Sequence, residues 1–160
     1  MTNTALSLVA LLIAIATPAA AGPYEDALAA YDRADYPAAM RLYRTAAEQG
    51  HALAQVQLGM MYAFARGTTR NYPEAVRLYR MAAEQGDAFA FTLLGTMYDR
   101  GLGVDADPVR AGMWLTLAAE RSPARIVDRD EVEARLTFAQ REKVREMARA
   151  CELSNFKDCF

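Results

Sequence analysis

HALAQVQLGMMYAFARGTTRNYPEAVRLYRMAAEQG (residues 51–86) and DAFAFTLLGTMYDRGLGVDADPVRAGMWLTLAAERS (residues 87–122) are one pattern written twice. Laid over each other without a gap, they agree at 11 of 36 positions, among them Leu58/Leu94, Gly59/Gly95, Tyr62/Tyr98, Gly67/Gly103 and Ala82-Ala83/Ala118-Ala119. The second half of the unit also stands upstream as YPAAMRLYRTAAEQG (residues 36–50), which matches residues 72–86 at 12 of 15 positions. A fixed period of this size marks a stacked repeat array, in which each unit contacts its neighbours and cannot bury its apolar face alone.

Within a unit the periodicity is helical. His51, Ala54, Leu58, Met61, Tyr62 and Ala65 fall on one face of a helix expected over residues 52–65, at i, i+3 and i+4 spacing. A glycine inside a helix costs about 1 kcal/mol against alanine. Its return as Gly59 and Gly95 therefore points to close approach of the next helix. A turn follows at residues 66–71 and 102–107, where Gly67 and Gly103 supply backbone freedom. Pro73 and Pro108 then open a second helix, where a missing N–H is harmless. That helix is expected over residues 73–85, with Ala75, Leu78, Tyr79, Ala82 and Ala83 inward and Gly86 at its end. The expected fold is all-α, a right-handed superhelical array of antiparallel helix pairs whose first helices line a concave side.

The pattern Ala54-x-x-x-Leu-Gly-x-x-Tyr62, a glycine-containing turn, and then Ala75-x-x-Leu-Tyr-x-x-Ala-Ala83 resembles the Sel-1-like repeat, a relative of the tetratricopeptide repeat. The resemblance covers two full units, 51–86 and 87–122. Residues 22–50 resemble a shorter tetratricopeptide-like pair, with five residues from Tyr31 to Tyr36 where Tyr62 to Tyr72 takes ten. Two departures stand out: Ala65 where the other unit has Gly101, and Ser122 where the closing glycine is expected. The family implies a binding scaffold for another protein or peptide.

The ends of the chain differ from the middle. Residues 1–21 contain no charged side chain, an apolar run from Ala5 to Ala16, and small residues at Ala19 and Ala21. This reads as a secretory signal cleaved between Ala21 and Gly22, with a retained N-terminal anchor, the only expected membrane contact, as the alternative. Beyond Ser122 the repeat register is lost, and residues 123–160 read as a helical cap. A charged helix is expected at 125–136, then a capping box, Thr137 with Gln140, opening a last helix at 138–152. Both cysteines, Cys151 and Cys159, lie there. An exported chain with one pair suggests a disulfide, two free thiols being the alternative. Eight residues of continuous helix would hold the pair roughly 12 Å apart, and a disulfide needs Cα atoms within about 7 Å. The bridge therefore requires the helix to break near Leu153-Ser154-Asn155.

The 160 residues are 53% hydrophobic and carry a net charge of −2, which offers no electrostatic case for nucleic acid. Catalysis needs a base beside a nucleophile, and the single histidine, His51, reads as a helix-boundary residue aligned with Asp87. Gly101-Leu-Gly103 lacks the strand and the Lys-Ser/Thr of a phosphate cradle. Asp105 and Asp107 are too few for a calcium loop. Neither catalytic residues nor cofactors nor metals are expected. The expected site is a protein-binding groove on the first helices: Leu53, Val56, Met60 and Phe64 of one unit with Phe89, Thr92, Thr96 and Arg100 of the next. Methionine and aromatic side chains suit adaptable recognition, although packing on neighbouring units is the competing use of Met60 and Phe64. The expectation is thus a non-enzymatic adaptor in the periplasm or outside the cell. The alternative, implied by resemblance to cysteine-rich secreted repeat proteins, is cell-wall-directed binding or a β-lactamase-like, penicillin-binding activity. Those proteins carry a cysteine pair in each unit, and these repeats hold none.

Overall fold

The computed structural model describes residues 22–160; the segment expected to be a secretory signal, residues 1–21, and the Ala21 side of the expected cleavage site lie outside the described residues. Among the described residues eight α-helices follow in order: α1 (Pro23–Asp32), α2 (Tyr36–Glu48), α3 (Ala52–Ala63), α4 (Tyr72–Ala83), α5 (Ala88–Arg100), α6 (Pro108–Arg121), α7 (Ile126–Glu133) and α8 (Phe138–Leu153). A 3-10 turn, Pro123–Arg125, joins α6 to α7, and the described residues contain no strand. None of these helices is long and apolar enough to cross a membrane.

Helix starts recur with the period of the sequence. Asp35, Asn71 and Asp107 each cap the second helix of a pair by accepting backbone N–H bonds, with a proline in the first turn. His51 and Asp87 cap α3 and α5 in the same way, His51 through Nδ1 from the Ala54 N–H at 3.3 Å. Such caps satisfy the orphan donors of a first turn and contribute about 1 kcal/mol each. The helices pair as α1 with α2, α3 with α4 and α5 with α6, and each pair stacks on the next through α2–α3, α4–α5 and α6–α7.

Gly59 and Gly95 stand where the two helices of a pair touch. A Cβ on Gly59 would lie 2.5 Å from Tyr79 Cε1, and one on Gly95 would lie 2.6 Å from Leu115 Cγ. The turn between helices is held by a left-handed residue, Ala34 (φ 60°), Ala65 (φ 57°) and Gly101 (φ 64°) in successive units. Ala65 therefore leaves the helix, and α3 stops at Ala63, two residues before the expected end. His51 also stands outside α3, exposed at its start and stacked on Tyr24 with ring centroids 4.4 Å apart.

Two apolar clusters fill the array. One joins α1–α4 around Tyr43, Leu58 and Met61. The other joins α3–α8 around Phe91, Leu94 and Trp114. Burial of Tyr43 pushes its hydroxyl pKa up to about 12, with smaller contributions from Tyr24 and Asp32.

The C-terminal segment departs from the pair rule. α7 packs on α6 where a first helix belongs, but α8 packs back on α6. Gly112 makes room for it: a Cβ there would meet Val144 Cγ2 at 3.0 Å. The charged helix is also shorter than expected, ending at Glu133, and Arg141 donates two bonds to the Leu136 carbonyl beyond it. The capping box of Thr137 and Gln140 opens α8. Asn155 and Phe156 then take positive φ, 52° and 65°, and turn the chain back so that Cys151 and Cys159, with Cα atoms 4.9 Å apart, are bonded.

Candidate functional site

On α3, Leu53 is 45% exposed and Phe64, just past the helix end, is 58% exposed; Phe89 at the start of α5 is 36% exposed. Arg100 is exposed as well. Met60 and Thr96 are half-buried, Met60 against the larger apolar cluster. Two residues do not belong to an open groove. Val56 is 1% exposed and packs in the cluster that contains Phe91, and Thr92 is 7% exposed. The Thr92 hydroxyl donates to the Ala88 carbonyl at 3.2 Å, and that of Thr96 to the Thr92 carbonyl at 3.1 Å. A helical wheel gives each side chain a direction but not what stands opposite it, and here Val56 is enclosed in the larger apolar cluster.

The structure divides the face in two. Between α5 and α7, Thr92, Thr96 and Arg100 meet Asp128, Glu131 and Arg135 around a polar cleft of about 270 Å³. Arg135 closes one end by pairing with Asp99 at 2.5 Å. The other half is a row of apolar side chains at helix starts. Leu53 and Phe89 are the second residues of α3 and α5, and the second residue of α7 is Val127, 64% exposed. Val127 is the member that sequence reasoning missed. It follows Phe89 by 38 residues, so an ungapped period of 36 passes it over.

A larger open cleft, about 600 Å³, lies among the α5–α6 turn, Arg80 and the start of α8. Its two guanidinium groups are engaged: Arg80 donates to the Tyr98 hydroxyl at 2.7 Å, and Arg110 pairs with Asp107 at 3.5 Å and lies over the Tyr98 ring. Asp107 itself accepts the Val109 and Arg110 N–H groups as the cap of α6. The spacing Ser154-Asn-Phe-Lys157 has the Ser-x-x-Lys form of penicillin-binding folds. Ser154, however, closes α8, its hydroxyl donating to the Cys151 carbonyl at 2.8 Å and accepting the Asp158 N–H at 3.1 Å. It serves as a helix C-cap rather than an activated nucleophile.

The tail beyond α8 covers the far end of the core. Phe156 lies 5.2 Å from Phe91 and Phe160 lies 5.3 Å from Trp114, between ring centroids. Arg121 and Arg80 stack over these two tail rings. Glu120 faces Glu152 across the α6–α8 contact. Burial first, then the charge of and hydrogen bond with Glu152, raise its carboxyl pKa above the ordinary value.

These paired helices, period-locked caps and glycine contacts agree with the comparison to known families, where the model of the Sel1 repeat matches residues 25–51, 52–87 and 92–123. The chain belongs to the Sel1 repeat family. Among solved structures it is similar to c5321, a protective antigen present in uropathogenic Escherichia coli strains displaying an SLR fold. That match has 27% identity and a TM-score of 0.75, over 84% of this chain and 31% of that one. It is also similar to a Sel1 repeat protein from Oxalobacter formigenes, with 44% identity and a TM-score of 0.51 over 52% of this chain and 34% of that one. The chain thus spans about a third of each of these structures. No curated protein matches it significantly.

Proposed function

We propose that this Sel1 repeat chain is an exported, non-enzymatic adaptor that holds a peptide or helix of another protein on its first-helix face. The observation that carries the proposal is the row Leu53, Phe89 and Val127, exposed apolar residues at the same place on three successive first helices. Phe64 extends the apolar surface at the far end of α3. Large apolar side chains recurring at one exposed position are a recognition feature, whereas singly scattered ones are ordinary. Arg100 and the polar cleft beside it supply orientation. The apolar N-terminal run and the Cys151–Cys159 bridge support export, since disulfides persist in oxidising compartments.

The test is crosslinked capture from the native host, comparing the wild type with L53E/F89A. A stoichiometric partner lost in the variant, with helicity unchanged, is the expected result. Capture of the same partner by both chains would end the proposal. The intact mass of the purified wild type reads export in the same preparation: a chain starting at Gly22 is expected, and a full-length cytoplasmic chain would refute it.

A further inference from the structure

The chain's own tail shows what one outer groove of this array accepts. Phe160 sits beside Trp114 and beneath the Arg80 guanidinium, whose Cζ is 5.1 Å from the ring centroid, and Arg110 and Met113 line the same small cavity. One repeat period earlier these four positions are Leu78, Arg44, Glu74 and Arg77. All four line an open groove of about 140 Å³ between α2 and α4. The two grooves are therefore the same feature of successive units.

The earlier groove keeps the arginine that covers the ring and has an aliphatic floor, Leu78, where the later one has Trp114. Its floor is apolar, from Leu58 and Leu78, both buried, with Met81 at one wall. Arg44 donates to the Tyr62 hydroxyl at 3.1 Å, as Arg80 donates to that of Tyr98, so its guanidinium is already set in the posture that covers Phe160. Glu74 and Arg77 neutralise each other through bonds of 2.7 and 2.9 Å, which leaves Arg44 and Glu48 as the other charged groups of the groove. A guanidinium over a ring is attracted by its quadrupole. Phe160 is not available as the occupant: the Cys151–Cys159 bond ties each copy's tail to its own α8, beside its own Trp114.

We propose that the α2–α4 groove is a docking site for a phenylalanine side chain of a partner polypeptide, held between Leu78 and Arg44 as Phe160 is held between Trp114 and Arg80. This surface lies between the second helices α2 and α4, with Leu58 of α3 in its floor, and includes none of Leu53, Phe89 and Val127, so its failure would leave the adaptor reading untouched.

The probe is the chain's own terminal tetrapeptide, acetylated and amidated, with serine in place of Cys159. It is titrated into the oxidised full chain carrying labelled methionine methyl groups. The expected result is a saturable shift of Met81, in the groove wall, with Met113 and Met60 still. A peptide with alanine for the phenylalanine should leave Met81 unmoved, and R44Q should weaken binding about fivefold without changing the melting temperature. An unmoved Met81, shifts at Met113 or Met60 instead, or a titration indifferent to R44Q would overturn the proposal. Concentration-dependent Met81 shifts without peptide would assign the groove to a second copy and overturn it equally.

Discussion

Replacing both cysteines, C151S/C159S, should release the tail and leave most of the array standing. The bridge closes a ring with a sequence separation of 8. In the chain-entropy model a loop of that size removes roughly 8 cal/mol/K from the unfolded chain, or about 2.5 kcal/mol at 25 °C. The tail cannot make up that loss by itself. Burying Phe156 yields roughly 2–3 kcal/mol and the two stacked guanidinium groups about 1 kcal/mol each. Ordering residues 154–160 costs at least about 1 kcal/mol per residue in backbone entropy, on the order of 7 kcal/mol in all. Without the covalent tie the balance favours an undocked tail.

Trp114 reports the outcome, because it is the only tryptophan and Phe160 covers it. The variant should show red-shifted emission and a melting temperature lower by roughly 8 °C, at about 3 °C per kcal/mol for this length. Since repeats couple to nearest neighbours, hydrogen exchange should accelerate in α8 while α1–α4 keep their protection. A variant that melts within about 2 °C of the oxidised wild type, with unchanged emission, would refute the claim that the bridge holds the tail down.

Three further substitutions test the packing. Gly95→Ala would drive a Cβ to 2.6 Å from Leu115 Cγ. Overpacking of about 1–3 kcal/mol, less about 1 kcal/mol of helix propensity, predicts a lower urea midpoint, and an unchanged midpoint would contradict the close helix contact. Ala65→Gly relieves a left-handed alanine at φ 57° and should raise stability by about 0.5–1 kcal/mol, measured in the same denaturation assay; a loss would show that the turn is not strained. Glu120 has a raised pKa in the fold, so its contribution is full below the unfolded pKa and is lost as pH rises through the folded one. Glu120→Gln should therefore stabilise the chain at pH 7 more than at pH 4, and equal effects at both would refute the raised carboxyl pKa.

Much of the fold was legible because each unit repeats its start and stop signals. The caps Asn71 and Asp107 and the helix-internal glycines return one period apart, and a proline follows within two residues of each cap. These are local signals, set by backbone groups within a turn of the residue that answers them. The groove was legible only in part. Leu53, Phe64 and Phe89 are exposed as a wheel suggests, but Val56 has the same outward bearing and is buried, because exposure depends on what the next unit places opposite. Val127 escaped because two extra residues between α6 and α7 break the count. Ala65 was read as the end of a helix, since alanine favours helices and nothing local announces a left-handed turn.

The end of the array was the least legible part, and the repeat itself explains why. Periodicity reveals positions where units agree, and agreement produces stacking. Termination depends on positions where they differ. In the second pair Gln55 donates to the Ala47 carbonyl and accepts from Gln85, a polar contact between successive units. One period later the corresponding residues are Phe91 and Arg121, and both engage Phe156 of the tail. Val76 is buried in the core, while its counterpart Gly112 admits Val144 of α8; Leu78 lines an open groove, while its counterpart Trp114 receives Phe160. Three of these departures thus convert a stacking surface into a seat for the cap, and the fourth sets the Trp114 ring in a groove that is open in the earlier unit. Aligning the units scores each as a mismatch, although together they define where the array stops.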